Sequence, residues 1–325
     1  MHEHYEDCPW REQSLYAMDS RNQMLFGYET FQGGNIEYAK GNLRLMSKGL
    51  RDDGLLQLCF PSRMDITIPS FSFYFILAVV ENYEYAKDES FTKEILKTVE
   101  KIMGAFAERV DETGLLSVFP EPSYWNFYEW SEGLDGGEIW RDYTIPQSYD
   151  ACLNLLYLIV MQRLSELYEK MEICPKEDYK AKADCLKKRI RDYFYDSVRG
   201  EFKTCLGGCQ TSEKYAQLPQ VLGVVSGASG EEKERVLRNL KQDKTLVSLT
   251  LSCKIWEYEA LMESGEDKLP DVIRDIEEVF GKMALRGGST FYETEKGAAD
   301  FGGAGSLCHA WSAVACYIYN KYCKK

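Results

Sequence analysis

The sequence predicts an all-α fold, because apolar residues recur at helical spacing along most of the chain and strand patterns are scarce. Short strand patterns lie near residues 115–119 and 201–205. The first helical pattern is broken at Gln32-Gly33-Gly34-Asn35, so it predicts two helices and brings the total to about eleven. The helical patterns cover residues 19–50, 72–87, 91–110, 148–171, 177–196, 213–225, 231–241, 248–263, 268–285 and 306–323.

A weak internal repeat indicates how these helices are connected. Arg51-Asp52-Asp53-Gly54-Leu55-Leu56 is echoed by Val110-Asp111-Glu112-Thr113-Gly114-Leu115-Leu116, and more loosely by residues 196–202. The first two copies are about 60 residues apart, which is the length of one helical hairpin with its loops. Six such hairpins would fill residues 1–325, so we expect a single domain with the (α/α)6 toroid architecture. Eleven helices are one short of a ring of twelve, and the abrupt start of the sequence indicates that the missing first helix lies upstream.

An α-solenoid scaffold is the structural alternative, since it also stacks helical hairpins. Solenoid repeats would be more regular in length than these. The long loops 111–147 and 286–305 carry Trp, Tyr, Glu, Asp and Gly. Loops of this kind on a rigid helical frame are where function concentrates, which favours the toroid.

The composition narrows the class of partner. The formal net charge is -13, and an acidic surface repels phosphate backbones, so no nucleic-acid partner is expected. The longest apolar run, near residues 153–161, is too short to span a bilayer, so no membrane partner is expected either. Neutral ligands such as sugars are unaffected by this charge. The sequence leaves open whether the protein is a homo-oligomer.

The 11 cysteines form no regular framework. Cys205 and Cys209 are the closest pair, and no second pair with zinc-ligand spacing accompanies them. We interpret the cysteines as buried reduced thiols, which are typical of a reducing compartment, so the sequence predicts a cytoplasmic protein. No P-loop, dinucleotide-binding glycine motif or HExxH motif occurs, and we expect no cofactor and no catalytic metal. The sequence leaves open whether the protein binds a structural calcium ion.

The first cluster of candidate catalytic residues is Asp7-Cys8-Pro9-Trp10-Arg11-Glu12, followed by Asp19. Glu12 and Asp19 are two helical turns apart and would face one side of a helix. Clustered carboxyl groups allow one of them to keep its proton at neutral pH, as a general acid must. The alternative is an acidic helix N-terminus, which the helix dipole favours without any catalysis.

The second cluster is a glycine-rich loop around Glu293, which leads into the last helix with His309 near its start. Glu293 could activate a water molecule as a general base. The alternative is a surface loop, with His309 as a packing residue. A third cluster interleaves aromatic and acidic residues and includes Trp125, Glu129 and Trp130. It fits a sugar-stacking platform or, equally well, a loop that plugs the barrel mouth.

The first cluster resembles the Asp-Cys-Pro-x-Arg-Glu signature of glycoside hydrolase family 78, the bacterial α-L-rhamnosidases. Thr290-Phe291-Tyr292-Glu293 resembles the segment that carries the family's general base, and Ser306-Leu307-Cys308-His309 resembles its Ser-Leu-x-His helix start. The loop around Glu129 and Trp130 is similar to the family's acidic-Trp segment. The resemblance begins near Asp7 and keeps the same order to the C-terminus.

The resemblance implies a six-hairpin glycosidase fold, a carbohydrate substrate and an inverting reaction. It implies that Glu12 is the general acid and Glu293 the general base. The expected substrate-binding residues are Asp7, Arg11, Asp19, Trp125, Glu129, Trp130 and His309. Inversion requires the two carboxyl groups to lie roughly 6.5–9.5 Å apart, and a toroid can bring the two ends of the chain together in this way.

Some positions depart from the family pattern and leave the substrate open. Tyr16 stands where family members often have Trp, and Ala310-Trp311 differs from the usual residues after the helix-start His. The alternatives are another helical-toroid glycosidase, acting on glucosides or unsaturated uronides, and a non-catalytic carbohydrate-binding fragment.

Overall fold

Helices dominate the structure, a computed structural model that describes residues 3–31, 33–62, 64–138, 140–145, 147–209 and 214–323. Within these ranges the α-helices are, in chain order, α1 (Ala17–Thr30), α2 (Gly34–Ser47), α3 (Pro69–Ala86), α4 (Glu89–Ala107), α5 (Ala151–Lys170), α6 (Tyr179–Phe194), α7 (Gln217–Val225), α8 (Lys233–Gln242), α9 (Lys254–Met262), α10 (Leu269–Val279), α11 (Gly281–Leu285) and α12 (Val314–Tyr322). Two antiparallel pairs of two-residue strands join β1 (Tyr149–Asp150) to β4 (Cys205–Leu206) and β2 (Tyr195–Asp196) to β3 (Glu201–Phe202).

Six helices form an inner ring around the core. Helices α1, α3, α5, α7 and α9 pack against one another in that order, and α12 contacts α9 and closes the ring on α1. Helices α2 and α4 both pack on the outside of α3. Helices α6, α8 and α10 pack on the outside of α5, α7 and α9, respectively. This alternation of inner and outer helices confirms the predicted all-α toroid.

The two layers differ in their apolar patterns. The inner helix α3 buries every residue from Pro69 to Tyr83, and Pro69 is tolerated because it lies in the first turn. The outer helix α4 is amphipathic, and Asp88 caps it by accepting a hydrogen bond from the main-chain N–H of Phe91. One apolar stripe on an outer helix is enough to seat it against the inner ring. No helix in the described ranges has the length and apolar character needed to cross a bilayer.

The sequence repeat corresponds to a repeated turn. Gly54, Gly114 and Gly200 follow the outer helices α2, α4 and α6, and each has a left-handed φ between 76° and 85°. Their main-chain N–H groups donate to the carbonyl oxygens of Arg51, Asp111 and Asp196. Glycine adopts this conformation without steric cost, so the repeat marks the points where the chain turns back toward the inner ring.

Two helix boundaries differ from the prediction for tertiary reasons. The pattern over residues 148–171 begins as a helix at Ala151, because the preceding two residues pair as β1 with β4. The pattern over residues 268–285 is interrupted at Phe280, which separates α10 from α11. The described residues therefore contain twelve α-helices where eleven were predicted.

The two predicted strand segments have different outcomes. Residues 201–205 contain β3 and the first residue of β4, as expected. In the segment 115–119, Leu116 forms an isolated bridge with Val110 and no strand is assigned.

The interpretation of all cysteines as buried reduced thiols is wrong in part. Cys205 and Cys209 are joined in a disulfide, because Gly207 and Gly208 adopt left-handed φ values that fold the intervening loop back. The exposed free cysteines are Cys174, Cys185 and Cys323. The buried free cysteines, which fit the prediction, are Cys8, Cys59, Cys152 and Cys253. The cytoplasmic location stays a prediction.

Candidate active site

The first and last segments of the described chain meet at one end of the toroid. The main-chain N–H of Ala310 donates to the carbonyl oxygen of Asp7 at 2.7 Å. The Arg11 guanidinium donates to the carbonyl oxygen of Ala304 at 2.8 Å. Because α12 closes the ring on α1, side chains from the two ends of the sequence can share one cavity.

A cavity of about 130 Å³ lies at this end of the toroid. Seven of the predicted site residues line it, namely Asp7, Glu12, Asp19, Trp125, Trp130, Glu293 and His309. The structure thus gathers residues from all three predicted clusters around one space. Its remaining lining residues, which the sequence did not single out as site residues, are Tyr16, Ile68, Phe71, Phe127 and Trp311.

Glu12 is the more exposed of the two candidate catalytic carboxyl groups, at 40% of its side-chain surface. Its pKa is raised to about 7, first by burial and then by the hydrogen bond to and the charge of Asp7, while Arg11 lowers it. The Cys8 thiol also points at a Glu12 carboxyl oxygen, at 4.0 Å. A carboxyl group with this pKa retains much of its proton near neutral pH, as a general acid requires.

Glu293 is almost completely buried, with 1% of its side chain exposed. Its Oε1 accepts a hydrogen bond from Arg11 at 2.6 Å, and its Oε2 accepts one from the main-chain N–H of Ser306 at 2.9 Å. The indole of Trp311 donates to the Glu293 carbonyl oxygen. The two bonds to the carboxylate oxygens are charge-assisted, and such bonds fix the orientation of a carboxylate more strongly than bonds between neutral groups do.

A polar cluster of Asp7, Asp19 and His309 lies beside the two glutamates. His309 Nδ1 is 3.5 Å from Asp19 Oδ1, and its Nε2 is 3.8 Å from both Asp7 Oδ2 and Glu293 Oε1. Burial, followed by the charge of Arg11, lowers the pKa of His309 to about 3, so the imidazole is neutral. Burial and the charge of Asp7 raise the pKa of Asp19 well above its usual value.

Three atoms of this cluster are buried and have no hydrogen-bond partner among the described residues. They are Asp7 Oδ2, Asp19 Oδ1 and His309 Nδ1. Buried polar atoms are nearly always paired, and an exception calls for an explanation. Here all three residues line the cavity, and His309 Nδ1 and Asp19 Oδ1 lie 3.5 Å from each other.

An aromatic wall faces the polar cluster. The Trp130 ring makes edge contacts with Trp125, Phe127 and Phe301, at centroid distances of 5.7, 4.9 and 5.3 Å. The Trp125 indole donates to the carbonyl oxygen of Asp135, which fixes the ring. The Trp130 side chain is the exposed member of the pair, so it is the one available for stacking.

Arg11 is not among the residues that line the cavity, and its direct contact with substrate stays a prediction. One of its nitrogens lies 2.6 Å from Glu293 Oε1 and 3.5 Å from Glu12 Oε2. The guanidinium binds these two glutamates and the Ala304 carbonyl oxygen. Its contacts are therefore those of a residue that positions the carboxylates.

Glu129 also lies outside the cavity lining, and its direct contact with substrate stays a prediction. Its side chain is fully buried, and Oε2 accepts hydrogen bonds from the main-chain N–H and the hydroxyl of Thr250. Burial raises its pKa to about 7. Glu129 thus ties the aromatic loop to the residues that precede α9.

The residues missed by the sequence analysis are mostly apolar. Ile68 and Phe71 reach the cavity because the N-terminus of α3 faces it, and no local pattern distinguishes them from core residues. Trp311 could have been predicted as a site residue, because it follows His309 by two positions. Its ring packs on the His309 ring with the centroids 3.8 Å apart.

Asp7, Cys8 and Glu12 form a group that could hold a metal ion. Their candidate ligand atoms lie within 4.8 Å of one another. Burial, followed by the hydrogen bond to Asp7, raises the pKa of the Cys8 thiol. The thiolate is the form that binds metals, so this shift disfavours Cys8 as a ligand.

Comparisons with known proteins agree with this architecture. The GH78 family rhamnosidase of Bacillus sp. GL1 matches with a TM-score of 0.83 and 23% identity, over 97% of this chain and 32% of that one. A rhamnosidase from Klebsiella oxytoca with rhamnose bound matches with a TM-score of 0.80 and 20% identity, over 100% of this chain and 61% of that one. A GH63 mannosylglycerate hydrolase from Thermus thermophilus matches with a TM-score of 0.63 and 13% identity, over 98% of this chain and 96% of that one.

At these identities the likeness shows the shared fold. The chain spans less than two thirds of the length of the first two enzymes. A search of curated proteins finds no match. The family model described as the bacterial alpha-L-rhamnosidase 6 hairpin glycosidase domain matches residues 1–322. The chain therefore belongs to the bacterial α-L-rhamnosidase six-hairpin glycosidase domain family.

Proposed function

We propose that the protein hydrolyses terminal α-L-rhamnosyl residues of glycans or glycosides, with Glu12 as general acid and Glu293 as general base. One observation carries the proposal: two carboxyl groups share a cavity but have contrasting surroundings. Glu12 has a pKa raised to about 7, whereas Glu293 is buried in an ion pair with Arg11. Two carboxyl groups in unlike surroundings are typical of an acid and base pair in glycoside hydrolysis.

The proposed reaction inverts the anomeric carbon. The Glu12 proton goes to the oxygen of the leaving group, and Glu293 takes a proton from the water that attacks the opposite face of the sugar. One Arg11 nitrogen contacts both carboxylates, so the guanidinium positions the two groups relative to each other. Inversion requires a separation of roughly 6.5–9.5 Å between the carboxyl groups, which leaves room for the attacking water.

The remaining cavity residues have roles in binding. Asp7, Asp19 and His309 line the cavity with polar side chains and are the proposed partners of the sugar hydroxyls. Trp130 and Trp125 offer ring surfaces against which a sugar ring or its methyl group can pack. A cavity of about 130 Å³ suits a single terminal sugar better than the interior of a polysaccharide.

The acid and base roles can be separated by the leaving group. We compare Glu12→Gln and Glu293→Gln on 4-nitrophenyl α-L-rhamnoside and on a rhamnosyl-glucose disaccharide. 4-Nitrophenolate leaves without protonation, so Glu12→Gln should lower kcat about 10²- to 10⁴-fold on the disaccharide and much less on the nitrophenyl substrate. Glu293→Gln should lower kcat by a similar factor on both. Glu295→Gln, an exposed residue of the same loop, is the matched control.

The rival functions predict other outcomes. Faster hydrolysis of 4-nitrophenyl glucosides or of unsaturated uronides would contradict the proposed substrate. Calorimetric binding of L-rhamnose without turnover of any glycoside would support a carbohydrate-binding fragment. Full activity of Glu12→Gln on the disaccharide would refute its assignment as the acid.

A further inference from the structure

A second, larger cavity lies at the opposite end of the inner ring. Its volume is about 790 Å³, and none of its lining residues lines the candidate active site. All six inner helices contribute to it, mainly through the C-terminal halves of α3, α5, α7, α9 and α12. Cavities that bind small molecules commonly have volumes of about 300–1,000 Å³.

Arg21 provides a buried donor in this cavity. It is 2% exposed, its guanidinium lies over the Trp256 ring at 4.9 Å, and it makes a bidentate ion pair with Glu81. Its Nη1 is buried and has no hydrogen-bond partner among the described residues. A buried guanidinium donor with no partner is costly, so this nitrogen calls for an acceptor from a ligand.

Glu259 and Glu263 provide acceptors on another wall. They are one helical turn apart and both line the cavity from α9 and the residue that follows it. The closest cation to Glu259 is Arg21, at 3.8 Å, which is too far for a hydrogen bond. Burial, followed by the charge of Glu259, raises the pKa of Glu263 to about 7.

The charges of the lining residues balance. Five cationic and five acidic side chains line the cavity, so it offers no net attraction to a charged ligand. The cationic residues are Arg21, Arg163, Lys187, Lys233 and Lys321, and the acidic ones are Glu81, Glu84, Glu166, Glu259 and Glu263. A hydroxyl group can accept from a guanidinium and donate to a carboxylate at once. A ligand with several hydroxyl groups therefore satisfies both walls.

We propose that this cavity binds a neutral polyhydroxylated ligand, an oligosaccharide of two or three units, at a site separate from Glu12 and Glu293. Arg21 Nη1 donates to one ligand hydroxyl, and Glu259 and Glu263 accept from others. Apolar side chains of the lining, such as Leu25, Leu77 and Ile159, pack against the carbon faces of the sugar.

The test is calorimetric titration of the full chain with maltotriose, with a protonated glucosamine trimer and a galacturonate trimer as charged counterparts. Glu263→Trp and Lys321→Trp place bulk at two walls of the cavity, at positions outside the hydrophobic core. Each should weaken binding of maltotriose at least about tenfold, and hydrolysis at the Glu12 site should be unchanged. Glu278→Trp, an exposed residue of α10 outside the cavity, is the control and should bind like the unmodified protein.

The outcomes are distinct from those that test the hydrolase proposal. Retained turnover together with loss of maltotriose binding in both variants supports the second site. Binding that persists in both variants overturns it, as does a preference for either charged trimer or no binding to any of the three. Melting temperatures of the variants establish that the loss of binding is local.

Discussion

The position of the alkaline limb of the pH profile depends on Asp7. Glu12 must hold a proton to act as acid, and its pKa of about 7 predicts that kcat/KM falls about tenfold per pH unit above neutrality. Asp7→Asn removes the charge that contributes to this shift and weakens the hydrogen bond, but leaves the burial that contributes most. The limb should therefore move to a lower pH, between the ordinary value of 4.5 and about 7.

The magnitude follows from the protonated fraction. At pH 7, Glu12 is about half protonated, and a fall of one unit in its pKa leaves about one molecule in ten protonated. The assay is kcat/KM on the rhamnosyl-glucose disaccharide from about pH 4 to about pH 9, with Glu295→Gln as the control that keeps the original limb. Asp7→Asn also loses a proposed sugar contact, which lowers the whole curve without moving the limb. An unmoved limb in Asp7→Asn would refute the coupling between Asp7 and Glu12.

Three further predictions concern the same end of the barrel. Glu129 is fully buried with a pKa raised to about 7, so the fold loses stability as the pH rises through that value and the buried side chain becomes charged. Glu129→Gln removes this charge and should raise the free energy of unfolding at pH 8 by up to about 3 kcal/mol in urea titrations. An unchanged pH dependence in the variant would contradict this. Proton NMR of the first turnover should show the β-anomer of L-rhamnose, whereas an initial α-anomer would exclude inversion. Trp130→Ala should raise KM several-fold with little effect on kcat, because stacking on an exposed ring contributes to binding rather than to the chemical step; an equal loss in kcat would place Trp130 in the reaction itself.

Much of the fold could be predicted because its signals are local. The apolar stripe of α4 and the aspartate that caps it lie within one stretch of sequence, as does each glycine of the repeated turn. The Asp7 to Glu12 motif is also contiguous, so its resemblance to a family signature could be recognised without coordinates. Pairing that early motif with the loop of Glu293 needed the toroid, whose closure follows from the hairpin count.

The sequence is least informative where tertiary contacts decide the position of a side chain. Glu129 stands among aromatic residues in the sequence, but Thr250, more than a hundred positions away, binds its carboxylate outside the cavity lining. The direction of the Arg11 side chain depends on Glu293 and on the Ala304 carbonyl oxygen at the other end of the chain. Ile68 reaches the cavity because one end of α3 faces it, which no periodicity in the sequence encodes.

The direction of the inner helices explains how four carboxyl groups can share so small a space. The N-termini of α1 and α3 face the cavity that Glu12 and Glu293 also line. Asp19 lies in the first turn of α1. Helix N-termini carry partial positive charge, which offsets part of the repulsion among clustered carboxylates. The proton retained by Glu12 and the ion pair between Arg11 and Glu293 reduce the repulsion further. The same arrangement that makes the cluster tolerable leaves its two glutamates in different surroundings, and that difference is the basis for proposing Glu12 as the acid and Glu293 as the base.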